Sequence, residues 1–126
     1  GPDSLIGKTL GGIWGHQYVE LDSLIASGKI KRDDAFSQEG HLKKLNAKRV
    51  DFVFIPNSSW GELKMSSPQL VQGLFVANIP RNRYERRILI SPRDPALVQF
   101  VSASVEQLSK DANWKKKLDP FRYQYP

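Results

Sequence analysis

Residues 50–55 read VDFVFI, a stretch that is almost continuously apolar and rich in residues that favour β-strands. A strand without polar–apolar alternation is usually buried on both faces, as in a parallel sheet that helices cover. The polar residues 56–59 follow at once, and their proline predicts a loop after the strand. This stretch therefore predicts a buried strand in an α/β domain.

The residues before it repeat a strand–helix pattern. Strands are predicted over residues 8–14 and 30–36, and apolar residues at helical spacing between them predict a helix that Gly28 ends. Ser37 stands where the N-cap of the next helix belongs. Alternation of strands with helices is typical of a parallel sheet.

The C-terminal half continues the pattern with two strand candidates and two helices. Residues 74–79 and 87–90 are the predicted strands, and an arginine-rich stretch separates them. Asp94 is a suitable cap for a helix whose apolar residues, from 97 to 108, recur at three and four, and a short helix is predicted over 113–118. The predicted fold is an α/β domain in three layers, with a mostly parallel five-stranded sheet flanked by helices.

Length and composition limit the class of protein. The 126 residues fit one domain, 40% of them are hydrophobic, and the net charge is +6. The chain has no cysteine, so disulfides, thiolate metal ligands and cysteine nucleophiles are excluded. No apolar stretch is long enough for a membrane helix, and no signal peptide opens the chain. Gly1-Pro2 is typical of the scar left by a cleaved tag, so we expect residues 1–4 to be a scar or linker, and any natural targeting segment to have been removed or to lie outside this chain.

The sequence contains no recognised catalytic motif. The glycines at 11, 12 and 15 match neither the dinucleotide fingerprint nor the P-loop, and tight turns and close packing are the preferred interpretation. His16 lies at a predicted helix start, where it could contact a ligand, and His41 is expected on a solvated helix face. Asp33 and Asp34 should point to opposite faces of a strand, and so cannot share a site. We predict no enzymatic activity, no metal and no cofactor.

Basic residues fall in two groups. The first is the arginine-rich stretch 81–93, and the second is the lysine run 115–117. Acidic residues interrupt both groups, and no recognised nucleic-acid motif accompanies them, so a solvated basic face is the preferred interpretation. A nucleic-acid binder built on residues 81–93 remains the third hypothesis.

Three motifs resemble one protein family. LIGKTLGGIWG (residues 5–15) resembles the entry into the second lobe of bacterial periplasmic solute-binding proteins of family 3, the amino-acid-binding type. Leu42 and Leu45, followed by KRVD (residues 48–51), resemble the helix-to-strand junction of that family, with Lys48 in place of its usual glycine. Residues 97–118 resemble the closing helix pair. The likeness covers residues 5–121 as one lobe, and leaves residues 122–126 as a tail.

The resemblance implies a fold and a function. The fold is a half of the type II periplasmic-binding-protein fold, and the function is to bind a small solute for uptake by an ABC transporter or for sensing. It implies a periplasmic location and a transporter membrane component or a sensor protein as partner, with neither nucleic-acid binding nor membrane insertion. The alternative is a protein-interaction or sensor-regulatory module that reuses this lobe.

Ligands of open α/β sheets bind beyond the carboxyl ends of the strands, where helix N-termini offer N–H groups. Tryptophan suits the half-wet border of such a cleft. The candidate ligand-binding residues are therefore those that follow the predicted strands, together with two tryptophans: Trp14, Gly15, His16, Gln17, Ser37, Gln38, Asn57 and Trp60.

Two departures from the family pattern concern the ligand. Gly15-His16 stands where Gly-Thr or Gly-Ser usually grasps an α-carboxylate. Pro56 stands where an aspartate commonly pairs with the ligand ammonium, and proline can neither pair a charge nor donate a hydrogen bond. The resemblance therefore does not imply a standard α-amino acid as the solute.

The resemblance also implies a first lobe ahead of this segment, which the chain does not contain. The helix over residues 95–110 has a wide apolar face that would then lack a partner. We expect part of this face to be exposed, and we expect self-association or a partner chain to cover it. A single lobe should bind a solute weakly, since it supplies half of the enclosing contacts.

Overall fold

The structure is a computed structural model in which residues 1–122 are described. The predicted tail lies outside the described residues from position 123 onward. Within them the domain is α/β, with three parallel strands and six α-helices. The strands are β1 (Thr9–Ile13), β2 (Lys31–Ala35) and β3 (Phe52–Val53). The helices are α1 (Asp22–Ala26), α2 (Gln38–Asn46), α3 (Asn57–Ser66), α4 (Pro68–Val71), α5 (Pro95–Lys110) and α6 (Ala112–Leu118), with 3₁₀ turns at Pro2–Leu5 and Asp119–Phe121.

β1 lies in the middle of the sheet, in the order β2-β1-β3, and both pairings are parallel. Thr9 pairs in register with Lys31, and Leu10 pairs with Phe52. Each crossover between strands carries a helix, as parallel pairing requires. The predicted parallel α/β architecture is therefore present, with three strands in place of the predicted five.

Two helices cover opposite faces of this sheet. On one face, Leu10 is fully buried against Leu21 and Ile30, and α1 packs beside them. On the other face, Lys44 of α2 donates to Asp33 at 2.6 Å. Arg32 and Asp34 pair with each other at 2.6 Å, so Asp33 and Asp34 point to opposite faces, as their strand spacing predicts.

The two glycines inside β1 are sites of close packing. A Cβ on Gly11 would lie 2.8 Å from Val53 and 2.9 Å from Val50, and a Cβ on Gly12 would overlap the Asp34 carboxylate. Neither position leaves room for a side chain. This confirms the packing interpretation of these glycines.

Helix ends follow the predicted capping chemistry. The Ser37 hydroxyl accepts a hydrogen bond from the Gly40 N–H at 3.0 Å, and Asp94 accepts one from the Leu97 N–H at 3.0 Å. Gly28 has a φ of 74° after α1. Lys48, which stands where the resembled family has glycine, also takes the left-handed conformation, with a φ of 57°.

Three predictions about elements were wrong. Residues 57–59 are not a loop, because α3 begins at Asn57, directly after Pro56 as its N-cap. Residues 74–79 and 87–90 lie outside any strand. These segments pair with no strand of the sheet, and Leu89 keeps 96% of its surface exposed, so their β-propensity alone does not make them strands.

Candidate ligand cleft

An open cleft of about 1780 Å³ is lined by β3 and by the residues that follow β1 and β3. Its floor includes the turn after β1 and residues 51–60, which run from the start of β3 into α3. Residues 73–84, apart from Asn78, and Arg86 form much of the opposite side, which we call the wall. A groove at the carboxyl edge of a parallel sheet is the usual place for a ligand in an α/β protein.

The turn after β1 is held in place from beneath. The Arg32 guanidinium donates to the carbonyls of Ile13 at 3.1 Å and His16 at 2.9 Å, while it pairs with Asp34. Three acceptors on one guanidinium fix the direction of the turn. This arrangement places His16 and Gln17 on the floor of the cleft.

The segment opposite is attached to the body of the domain through Arg81. Its guanidinium forms a two-point ion pair with Glu20, of which the Nη2–Oε2 contact is 2.7 Å. It also lies 4.6 Å from the Phe54 ring centre and 5.5 Å from that of Tyr18. Charge and aromatic contact together fix the wall where it passes nearest the sheet.

Tyr18 links the wall to β1. Its hydroxyl accepts a hydrogen bond from the buried Ile13 N–H at 3.0 Å. Its ring packs beside Phe54, with 6.0 Å between centroids, and carries the Arg32 guanidinium at 5.0 Å. The aromatic pair therefore forms a rigid floor under the arginine-rich wall.

Six of the eight predicted ligand residues line this one cleft, namely Gly15, His16, Gln17, Gln38, Asn57 and Trp60. Ser37 and Trp14 are not among the lining residues. The Ser37 hydroxyl is engaged in capping α2. Trp14 is 70% exposed and lies beside Phe36, with 6.2 Å between ring centres.

Trp60 lines the cleft from within the first turn of α3, and it is only 9% exposed. Its Nε1 has no hydrogen-bond partner among the described residues. The Gln38 Oε1, also on the cleft lining, is buried and equally unpartnered. A buried donor and a buried acceptor without partners are unusual in a folded protein.

His41 is not solvated, contrary to expectation. It lies on α2 with 0% exposure, close to the Gly11 backbone. Burial lowers the pKa of His41 to about 4, an effect that the Gly11 backbone partly opposes. The ring is therefore neutral at pH 7, and it belongs to the packing between α2 and the sheet.

Sequence reasoning missed Tyr18, Phe54 and Arg81 as parts of the site. Tyr18 was assigned to a helix face, Phe54 to a strand interior and Arg81 to a solvated basic stretch. The contact between them depends on how residues 73–84 cross the sheet end, which no local spacing encodes. No local signal in the sequence brings these three residues together, since Arg81 is far along the chain from both rings.

Within residues 1–122, no cluster of histidine and carboxylate side chains could hold a metal ion, and no helix is long and apolar enough to cross a membrane. Comparison with family models, with curated proteins and with solved structures gave no match. The geometry of the cleft therefore carries the functional argument.

Proposed function

We propose that this domain is a non-enzymatic solute-binding lobe that binds a small molecule in the cleft at the carboxyl edge of its sheet. The observation that carries the proposal is the meeting of three elements there: the turn after β1, the N-terminus of α3, and the Arg81 wall. Concave sites with a few convergent polar groups are the usual form of a small-molecule site.

The proposal extends to fold family and role. The lobe would be of the type II periplasmic-binding kind and serve uptake through an ABC transporter, or sensing, outside the cytoplasm. Lys48 supports the resemblance, because its left-handed backbone is the conformation for which glycine is normally chosen.

The test is a titration of the ¹⁵N-labelled chain with small sugars, amino acids and organic acids, followed by NMR. We expect shifts of the backbone signals of His16 and Gln17 and of the Trp60 indole, at millimolar solute because one lobe encloses a ligand only partly. Asn57→Ala should weaken the response, whereas Asn113→Ala, an asparagine near the start of α6, should not. If no solute shifts these signals, the proposal is wrong.

A second function has one observation in its favour, the exposed apolar side of α5. Phe100 is 69% exposed, and Leu97, Val105 and Leu108 are exposed beside it. Contiguous apolar surface of this kind usually marks a contact with another protein. We propose protein interaction, as in a sensor-regulatory module, as the alternative role of the domain.

A further inference from the structure

The ionic character of the cleft points to the class of solute. Arg81, Arg83 and Arg86 all contribute to its lining. Glu20 neutralises Arg81, whereas Arg83 has no ion-pair partner within the described part of the chain. Among residues 1–122, the contacts of Arg86 are with the ring and the hydroxyl of Tyr84, which are neutral. Two guanidinium charges on this wall are therefore uncompensated.

Carboxylates are scarce on the same surface. Asp51 is the single acidic residue on the described lining, and its carboxylate accepts a hydrogen bond from the Thr9 N–H at 2.7 Å. Thr9 is the first residue of β1, so the Asp51 carboxylate lies at the amino end of the strands, away from the N-terminus of α3. Pro56, at the start of α3, contributes no charge. No other carboxylate lies on the described lining, so the first turn of α3 has none beside it to pair with an ammonium group.

The N-terminus of α3 adds hydrogen-bond donors. The first hydrogen bond of the helix runs from the Trp60 N–H to the Pro56 carbonyl at 3.0 Å. The N–H groups of Ser58 and Ser59 precede it and have no intrahelical acceptor. Both serines line the cleft, together with Trp60, which is 9% exposed and whose buried Nε1 has no partner among the described residues. Donors at a helix N-terminus favour negative charge.

We infer that the cleft takes an anionic solute that carries carboxylate or phosphate oxygens and no ammonium group. This inference rests on the proposed solute-binding function and specifies its ligand. The anion would meet Arg83 and Arg86 from one side and the first turn of α3 from the other. Guanidinium groups suit both kinds of oxyanion, because their N–H groups match the spacing of the two oxygens.

The test compares probes of similar length and different charge by ¹⁵N NMR at constant ionic strength. The probes are succinate, succinamide, 1,4-diaminobutane and aspartate, with inorganic phosphate as the second source of oxyanions. We expect succinate or phosphate to shift the Trp60 indole and the Ser58 and Ser59 amides. Succinamide and 1,4-diaminobutane should leave them unchanged, and aspartate should bind more weakly than succinate.

Variants locate the charge effect. The double variant Arg83→Gln/Arg86→Gln should weaken anion binding about threefold or more. Arg93→Gln, an exposed arginine outside the cleft, should leave it unchanged. Because neither Arg83 nor Arg86 takes part in an ion pair among the described residues, their loss should not unfold the domain.

The failures are distinguishable. Binding of succinamide or 1,4-diaminobutane as tight as that of succinate would overturn the anionic solute and leave the solute-binding lobe standing. Equal loss of anion binding in Arg93→Gln would overturn it too, since a diffuse basic surface would then explain the binding. Absence of any cleft response to every probe would overturn both proposals.

Discussion

His41 couples the stability of the domain to pH. Its side chain is buried and neutral in the folded chain, with a pKa of about 4 against an ordinary value of 6.5. Between these two values the unfolded chain binds a proton that the folded chain does not. The unfolding free energy should therefore fall as the pH is lowered from 7 to 5, by about 2 kcal/mol.

Urea unfolding at pH 7 and pH 5 measures this effect. His41→Leu should remove most of the difference between the two pH values, and His16→Gln, which alters an exposed histidine, should keep it. The Lys44 hydrogen bond holds the pKa of Asp33 below its ordinary value of 3.8. This carboxyl therefore stays ionised between pH 5 and pH 7. If the unfolding free energy fell equally between pH 7 and pH 5 in the wild type and in His41→Leu, His41 would not be the group that couples stability to pH.

Lys48 carries backbone strain at the end of α2. Its N–H donates to the Leu45 carbonyl at 3.0 Å, and the Arg49 N–H donates to that of Lys44 at 2.9 Å. These two bonds form a Schellman cap, in which glycine is the preferred left-handed residue. Lys48→Gly should therefore stabilise the domain by about 0.5–1 kcal/mol, after the entropy of glycine in the unfolded chain is deducted.

Chemical unfolding of matched variants tests this expectation. Ala47→Gly, one residue earlier in a conformation with a φ of −76°, gains nothing from glycine and should destabilise the domain. A decrease in stability for Lys48→Gly would show that the lysine side chain contributes more than its backbone costs.

At the scale of elements, α3 holds the C-terminal 3₁₀ turn. A Cβ on Gly61 would overlap the Phe121 carbonyl group. Gly61→Ala should lower the stability of the whole chain, although alanine is the better helix former by about 1 kcal/mol. In a chain shortened to end at Leu118 the same substitution should raise stability, and denaturant midpoints of the four proteins measure both effects. A stabilising effect in the full chain would mean that the turn does not pack there.

Local sequence predicted most of these elements, because their signals are short-range. Ser37 and Asp94 cap the helices that their side chains predict, and β1 and β2 lie within one residue of the expected strands. α3 was missed because its first residues, Asn57 to Ser59, are more typical of turns, and Pro56 before them suits a helix start as well as a loop.

The remaining differences depend on long-range contacts. Residues 74–79 and 87–90 have the composition of strands, but strand formation needs a partner that local sequence does not specify. The burial of His41 follows from how α2 approaches Gly11, and the Arg81 contacts follow from the path of the wall. The candidate ligand residues were predictable to the extent that they directly follow strands, as do His16 and Gln17.

For the whole molecule, the exposed side of α5 predicts association with a second copy. Asp94 lies before the first residue of this helix and Lys110 is its last, so an antiparallel pair would bring opposite charges together at each end. The apolar side, which includes Phe100, would then be buried between the two copies. We expect a sedimentation coefficient that rises with protein concentration.

Two variants of equal charge test which side of α5 makes this contact. Phe100→Glu should abolish the rise, since it places a carboxylate in the apolar face. Gln99→Glu, on the opposite side of the same helix turn, should not. A monomer at every concentration for the unmodified chain would show that α5 does not pair with its own copy.

The central position of β1 has a consequence for synthesis. A ribosome makes this strand first, yet its hydrogen-bonding partners are residues 31–35 and then 52–53. At about 5–20 residues per second, both edges of the nascent strand stay unpaired on the order of seconds. An unpaired strand invites pairing with other chains. Gly11 and Gly12, which the finished sheet needs for close packing, weaken strand pairing. They therefore also disfavour pairing of β1 with other chains before residues 31–35 and 52–53 are made.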